Sequence, residues 1–177
     1  MIRLCDFLFS LLGLIILFPI IILLLIVNLF ENGTSLFKQN RVGYDQKLFL
    51  LIKFRTMRKE TKSTATHLVN DSMITKFGYF LRSTKLDEVP QLFNVLIGDM
   101  SLVGPRPCLS NQRKLISERK KRGLFKVKPG ITGLAQISGI NMKTPTLLAK
   151  TDLKMIKKMN LYYYFYYIIK TFILILK

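Results

Sequence analysis

Residues 7–30 read FLFSLLGLIILFPIIILLLIVNLF, 24 residues without a charge. A straight helix needs only about 20 such residues to cross a bilayer. A surface helix of a water-soluble domain has one apolar stripe, whereas this segment is apolar all round. A secretory signal would have a shorter apolar core and a small-residue cleavage site. Neither is visible, so the segment is expected to stay in the protein. Pro19 sits at its centre. Proline removes a backbone donor and clashes with the preceding turn, so it kinks or breaks a helix. Two arrangements satisfy that constraint: a kinked span, and a helix–break–helix hairpin that returns to the face it entered. Arg3 precedes the segment, while Lys38, Arg41, Lys47, Lys53, Arg55, Arg58 and Lys59 follow it. The positive-inside rule places the bulk of the chain in the cytoplasm in either case.

A length of 177 residues suits one domain plus a membrane element. With 28 Lys+Arg against 10 Asp+Glu, the net charge of +18 calls for an acidic partner. Nucleic acid, anionic lipid and a phosphorylated substrate all qualify. No helix-turn-helix signature, RNP motif or zinc ligand set is present, which argues against nucleic acid. Cys5 and Cys108 form no CxxC, so neither a disulfide framework nor a zinc site is indicated, and a reducing compartment is the simple reading. The lone histidine, His67, lies in a polar stretch that reads as a loop. That disfavours Ser-His-Asp and Cys-His mechanisms, which need a positioned imidazole.

The end of the chain, LYYYFYYIIKTFILILK, has five tyrosines in a six-residue window. Tyrosine suits a headgroup region, where an apolar ring and a polar tip are both satisfied. With Lys170 inside a 17-residue segment, an interfacial helix is expected rather than a second crossing, and aromatic packing within the soluble core is the other reading. Between the ends, residues 39–57 read as a turn at Gly43-Tyr44-Asp45 followed by the strand LFLLIKF. Residues 59–72 read as a loop. Residues 73–86 have helical period, with Ile74, Phe77, Phe80 and Leu81 on one face.

Leu92, Phe93, Leu96 and Ile97 form a second helical stripe that Gly98 should stop. Pro90 is tolerated only in a first turn, so this helix is expected to begin near Asp87–Glu88. Two adjacent acids at a helix start are unusual in so basic a chain. Asp87 could be an ordinary N-cap. It could also be a carboxylate kept ionised where phosphate is attracted. Downstream, VGPRP holds Arg106 between two prolines, which stiffens the backbone that aims its guanidinium. KPGITGLAQISG, residues 128–139, has three glycines suited to close backbone approach.

The blocks KFRTM, LRSTKLDEVPQLFNVLIGDMSLVGPRP and KPGITGLAQISG, in that order and spacing, closely resemble the bacterial sugar transferases of the monotopic phosphoglycosyl transferase family. The resemblance runs from about Asp6 to about Asp152. It implies transfer of a sugar 1-phosphate from a UDP-sugar to a polyprenyl phosphate, usually undecaprenyl phosphate, at the cytoplasmic face of the bacterial inner membrane. UMP leaves, and later glycosyltransferases of a glycan pathway take up the product. N-acetylated amino sugars are the expected donor class. By the same resemblance Asp87 is the covalent nucleophile and Glu88 the ligand of a Mg²⁺ cofactor. Arg82 and Arg106 are expected on phosphate, with Lys53 and Arg55 as further candidates. Asp99, Gly130 and Gln136 complete the expected substrate-binding set.

The implied fold is mainly α with a small β element. Residues 1–34 form a re-entrant membrane hairpin broken at Pro19, and residues 35–160 a compact cytoplasmic catalytic domain with interfacial amphipathic helices. Residues 161–177 form an aromatic interfacial segment. No large extra N-terminal domain is visible, so the chain resembles the minimal form of the family. It departs from the family at Phe18, where Ser is frequent before the proline. It also departs at Lys128, Leu134, Ser138 and Ile140, where Arg, Trp, Asn and Arg are usual. The changed third block supports an alternative: a non-catalytic membrane-anchored relative that binds polyprenyl phosphate or nucleotide sugar, or scaffolds other enzymes. A glycosidase is disfavoured, because its two carboxylates must flank a scissile bond about 5–9 Å apart.

Overall fold

The computed structural model describes residues 1–58 and 73–175. The expected loop at 59–72, with His67, lies outside the described residues. The chain is mainly helical with two small sheets. Helix α1 spans Ile2–Asn32 and ends where Gly33 turns left-handed at φ 67°. Pro19 lies inside this single helix, so the expected division into two helices is not present as separate elements. Strands β1 (Leu36–Val42) and β2 (Leu48–Phe54) form an antiparallel hairpin in register Leu36↔Phe54 to Val42↔Leu48. The strand LFLLIKF is as expected. The expected turn at Gly43-Tyr44-Asp45 joins it to β1, which was not expected because QNRV lacks the β-branched and aromatic run that marks a strand.

Helices α2 (Lys76–Ser83) and α3 (Gln91–Ile97) follow. Thr75 caps α2, its hydroxyl accepting from the Gly78 amide at 3.0 Å. Of the stripe expected on α2, Leu81 is fully buried and Phe80 is exposed. Strand β3 (Ser101–Val103) runs parallel to β4 (Gly130–Thr132), with α4 (Arg113–Lys121) between them in sequence. Helix α5 is a single turn, Leu134–Ile137. Helix α6 is Pro145–Lys157, with proline in its first turn. Helix α7 is Leu161–Ile175.

Helix α1 is fastened to the rest of the protein near both of its ends. At one end the Asp6 carboxylate, 2% exposed, accepts from Ser101 Oγ at 3.0 Å, the Leu102 amide at 2.9 Å and Tyr164 OH at 2.9 Å. Arg3 Nη2 donates to the Leu96 carbonyl at 2.8 Å. At the other end Asn28 Nδ2 donates to the carbonyls of Ser35 at 2.8 Å and Arg55 at 2.9 Å. Leu24 packs there with Phe54 and Leu81. Between the two ends, Phe7, Leu12, Ile15, Ile16, Phe18 and Leu23 remain exposed. An apolar face of this extent is unstable in water and, on a helix long and apolar enough to cross a bilayer, is compatible with membrane anchoring.

The aromatic segment is in part a core element. Tyr164 and Tyr167 of α7 are buried in a core cluster with Val103 and Met155. Tyr162 and Phe172 are exposed, and Phe165 meets Phe9 of α1 edge-on at 5.7 Å. One face of α7 is therefore core, and its other face continues the apolar surface of α1.

Candidate active site

The two adjacent acids are set by a turn, not by a helix start. Lys85 takes a left-handed conformation, φ 58°, and Leu86–Glu88 form one 3₁₀ turn. Pro90, at φ −60°, caps α3, so Asp87 and Glu88 precede that helix and Asp87 is not its N-cap. A non-glycine residue with positive φ is uncommon and held only where the surroundings over-determine it. Asn94 of α3 completes the edge of β2 with its side chain. Its Oδ1 accepts from the Ile52 amide at 3.1 Å, and its Nδ2 donates to the Leu50 carbonyl at 2.8 Å. This amide mimics a strand neighbour and locks α3 against β2, with Lys53 beside the acids.

Asp87 is 6% exposed. Burial pushes its carboxyl up to about 6. Glu88 adds to the rise, and Lys53, Lys85 and Arg82 oppose it. Burial alone would also raise Glu88, but the Arg106 charge and hydrogen bond, with Lys85 and Lys53, outweigh it and hold Glu88 below the ordinary range. The Arg106 Nη2 to Glu88 Oε1 distance is 2.7 Å. Lys53 is depressed to about 8 by burial, which the charges of Asp87 and Glu88 only partly offset. Arg41 is depressed to about 10, by burial and then by Arg106. Two carboxylates of unlike proton affinity thus share a nest of cations. The more basic one, Asp87, is partly desolvated, a combination suited to a nucleophile.

Of the residues expected from sequence, Asp87, Glu88, Lys53, Arg82 and Arg106 come together. Arg82 is aimed by Thr56, whose Oγ1 accepts from its Nε at 2.9 Å. Arg55 sits beside Lys53, the two cations lying 5.5 and 5.4 Å from the Phe37 ring centre. Asp99 follows α3 at the end away from the acids. Gly130 lies in β4, where a side chain would meet the Gly104 nitrogen at 1.9 Å, so its glycine serves close strand packing. Gln136 Nε2 donates to the Gly104 carbonyl at 3.3 Å. Lys85 and Arg41 belong to the cluster and were not expected. Lys85 carried a signal, two residues before Asp87. Arg41 had none, because its place depends on the unrecognised strand β1.

Of the unusual residues of the third block, Leu134 and Ile140 are half-buried against core clusters, Lys128 is half-buried and Ser138 is exposed. Leu134 packs in the cluster of Met155 and Tyr164, and Ile140 packs against that of Val42 and Leu115. Among the described residues no group of three or more His, Cys, Asp or Glu side chains comes together. A divalent cation here would therefore have one or two carboxylates from the protein and take its other ligands from phosphate and water, a normal pattern for Mg²⁺.

Comparison with known proteins gives the family of the chain. The family model described as bacterial sugar transferase matches residues 1–177. The chain is 47% identical over 116 residues to a Bacillus subtilis (strain 168) protein named uncharacterized sugar transferase EpsL, covering 66% of this chain and 57% of that one. It is 45% identical over 152 residues to a UDP-glucose:undecaprenyl-phosphate glucose-1-phosphate transferase of Klebsiella pneumoniae, covering 82% of this chain and 32% of that one. It is 39% identical over 156 residues to an undecaprenyl-phosphate galactose phosphotransferase of Salmonella typhimurium, covering 78% and 33%. The chain thus spans from about a third to just over half of the length of these relatives. Because the family match runs along the whole chain, this protein belongs to the bacterial sugar transferase family.

Proposed function

We propose that the protein is a phosphoglycosyl transferase that moves a sugar 1-phosphate from a UDP-sugar to polyprenyl phosphate. The observation that carries this reading is the buried Asp87 carboxylate beside Glu88, faced by Lys53, Lys85 and Arg82. With its carboxyl near 6, Asp87 is mostly ionised at pH 7 yet more basic than an ordinary aspartate. Its oxygen attacks the β-phosphorus of the donor, forming an acyl phosphate. The bond from that phosphorus to the bridging oxygen breaks, and UMP leaves with the electron pair. A phosphate oxygen of the polyprenyl acceptor then attacks the same phosphorus. The Asp87–phosphorus bond breaks, the carboxylate is restored, and the lipid-linked diphosphosugar departs. Splitting one displacement into two in this way is the general advantage of a covalent nucleophile.

Approach of a carboxylate to a diphosphate is opposed by charge, so fixed cations at the site are required. Lys53, Lys85, Arg82 and Arg106 supply them. Glu88 is the residue to hold Mg²⁺, which when bound adds charge neutralisation at the diphosphate. Relatives are named for glucose and galactose transfer, which brings hexoses into the donor class beside N-acetylated amino sugars.

Helix α1 is proposed to enter and leave the membrane by one face. A straight helix from Arg3 to Asn28 is about 37 Å long, more than the roughly 30 Å hydrocarbon core. A straight crossing would put its ends on opposite sides, yet Asp6 and Asn28 are both bonded to the same domain. The cations after the segment then set that face as cytoplasmic, at the bacterial inner membrane. The alternative of a non-catalytic relative drew on Leu134 and Ile140. Both pack half-buried against apolar clusters, which gives each a packing role and supports the catalytic reading over that alternative.

The test is UMP release by purified protein with Mg²⁺ and undecaprenyl phosphate, over UDP-glucose, UDP-galactose and their N-acetylated amino counterparts. Release that needs the lipid for turnover and disappears in Asp87→Asn is the expected result. Wild-type turnover in that variant would remove the nucleophile assignment.

A further inference from the structure

The segment Gly104–Cys108 contains Pro105 and Pro107, which have no backbone donor. Its position is fixed instead through its carbonyls. The Gly104 oxygen accepts from Gln136 Nε2 at 3.3 Å and the Pro105 oxygen from the Gly130 amide at 2.9 Å. The Arg106 oxygen accepts from Arg119 Nη1 at 2.8 Å and the Pro107 oxygen from Arg41 Nη1 at 3.2 Å. The Cys108 oxygen accepts from the Val42 amide at 2.9 Å. Five consecutive carbonyls are thus tied to β1, β4, α4 and α5.

Arg119 is the tie under the reacting end. Its other arm, Nη2, meets Asp152 Oδ2 of α6 at 2.7 Å, and the two side chains are 3% and 0% exposed. A buried ion pair of this kind adds little net stability over apolar packing of the same volume, though breaking one partner is costly. Its value here is directional. The Arg106 side chain is 45% exposed, so packing does not aim it at Glu88. Its aim therefore depends on its charge partner and on its backbone, whose carbonyl Arg119 holds.

We propose that Arg119, oriented by Asp152, is a positioning residue that fixes the Arg106 main chain so that the Arg106 guanidinium meets Glu88. A guanidinium can reach both Asp152 and the Arg106 carbonyl because its two arms diverge, whereas a lysine ammonium is a single point charge. Gln136, Gly130 and Arg41 serve the same strap at its other carbonyls. The inference rests on the transferase reading for its effect on rate, but not for its effect on structure.

The experiment therefore has two arms, both on the full chain in a membrane mimetic. In the first, Arg119→Lys is expected to lower kcat/KM for UMP release by about 10- to 100-fold, as for a small misplacement of a positioned group. In an Arg106→Ala background the same change should cost less than about two-fold, because the two residues act as one unit. In the second arm, hydrogen exchange should quicken at the Val42 and Gly130 amides, which bond to strap carbonyls, and stay unchanged at Ile52. Losses that multiply in the double variant, or exchange that quickens everywhere, would reduce Arg119 to a structural residue and overturn the proposal. If wild type releases no UMP from any donor, the transferase reading fails and exchange alone decides. Unchanged Val42 and Gly130 amides then sink the positioning role. If Arg119→Lys does not fold, Asp152→Asn, which keeps an oxygen acceptor for Arg119, carries the same expectations.

Discussion

Replacing Asp87 by asparagine should inactivate the protein and stabilise it. The carboxyl is raised from 3.8 to about 6 in the fold, chiefly by burial. A raised folded value means that the protonated form suits the native state better. Its stabilising contribution is complete below 3.8 and is lost as pH rises through about 6. A shift of roughly two units corresponds to about 3 kcal/mol, the ceiling on what the ionised carboxylate costs the fold at neutral pH. Asparagine is nearly isosteric and carries no charge, so it removes that cost. Its new amide protons face Lys53 and Arg82 and take back part of the gain. A net gain of about 1–2 kcal/mol would raise the melting temperature by roughly 2–8 °C for a chain of this size. The assay is thermal unfolding in a membrane mimetic with chelator present, so that no divalent cation favours the aspartate, at pH 7.5 and at pH 4. The variant should melt higher at pH 7.5 and together with wild type at pH 4, where Asp87 is protonated. A variant that melts lower at pH 7.5, or a difference independent of pH, would refute the claim that Asp87 is held ionised against its surroundings.

The rate should follow a bell in pH. Activity needs Asp87 ionised and Lys53 charged, so it should fall as pH drops through about 6 and as pH rises through about 8, and Lys53→Arg should move the alkaline limb upward. Tyr164→Phe should cost about 1 kcal/mol of stability. Asp6→Leu, which strands the donors of Ser101, Leu102 and Tyr164, should cost about 3 kcal/mol or more. Both are read by thermal unfolding. Gly130→Ala places a methyl 1.9 Å from the Gly104 nitrogen, so it should part β3 from β4 and lower stability by about 3 kcal/mol, with activity falling in step.

The sequence revealed features whose signal is local. The apolar segment, the strand LFLLIKF, the glycine stop at Gly98 and the acidic pair with Arg82 and Arg106 were all readable from residue type and spacing. What it hid depends on partners far along the chain. Strand β1 exists because its polar residues pair with β2 and because Arg41 reaches the Pro107 carbonyl, and neither contact has a mark in QNRV. The start of α3 was misplaced because Pro90 suits either a first turn or a cap, and Lys85 was free to bend the chain before it. The tyrosine run looked interfacial on composition. Yet the buried carboxylate of Asp6 gives Tyr164 a core partner 158 residues away in sequence. The glycines within 128–139 marked a close backbone approach, and at Gly130 that approach is between two strands far apart in sequence.

The bond between Asp6 and Tyr164 has a consequence for how the protein is made. Asp6 is translated first and Tyr164 much later, and so are Ser101 and Leu102, its other two partners. While the ribosome is still working on the middle of the chain, the membrane segment carries a carboxylate with no native donor, which keeps that end of α1 near water. Only when α7 emerges can the acid be fully covered and the helix seated. Closing a contact over so long an interval is slow compared with local helix formation. Full burial of the Asp6 carboxylate, and with it the seating of that end of α1, is thereby made conditional on synthesis of the last described helix.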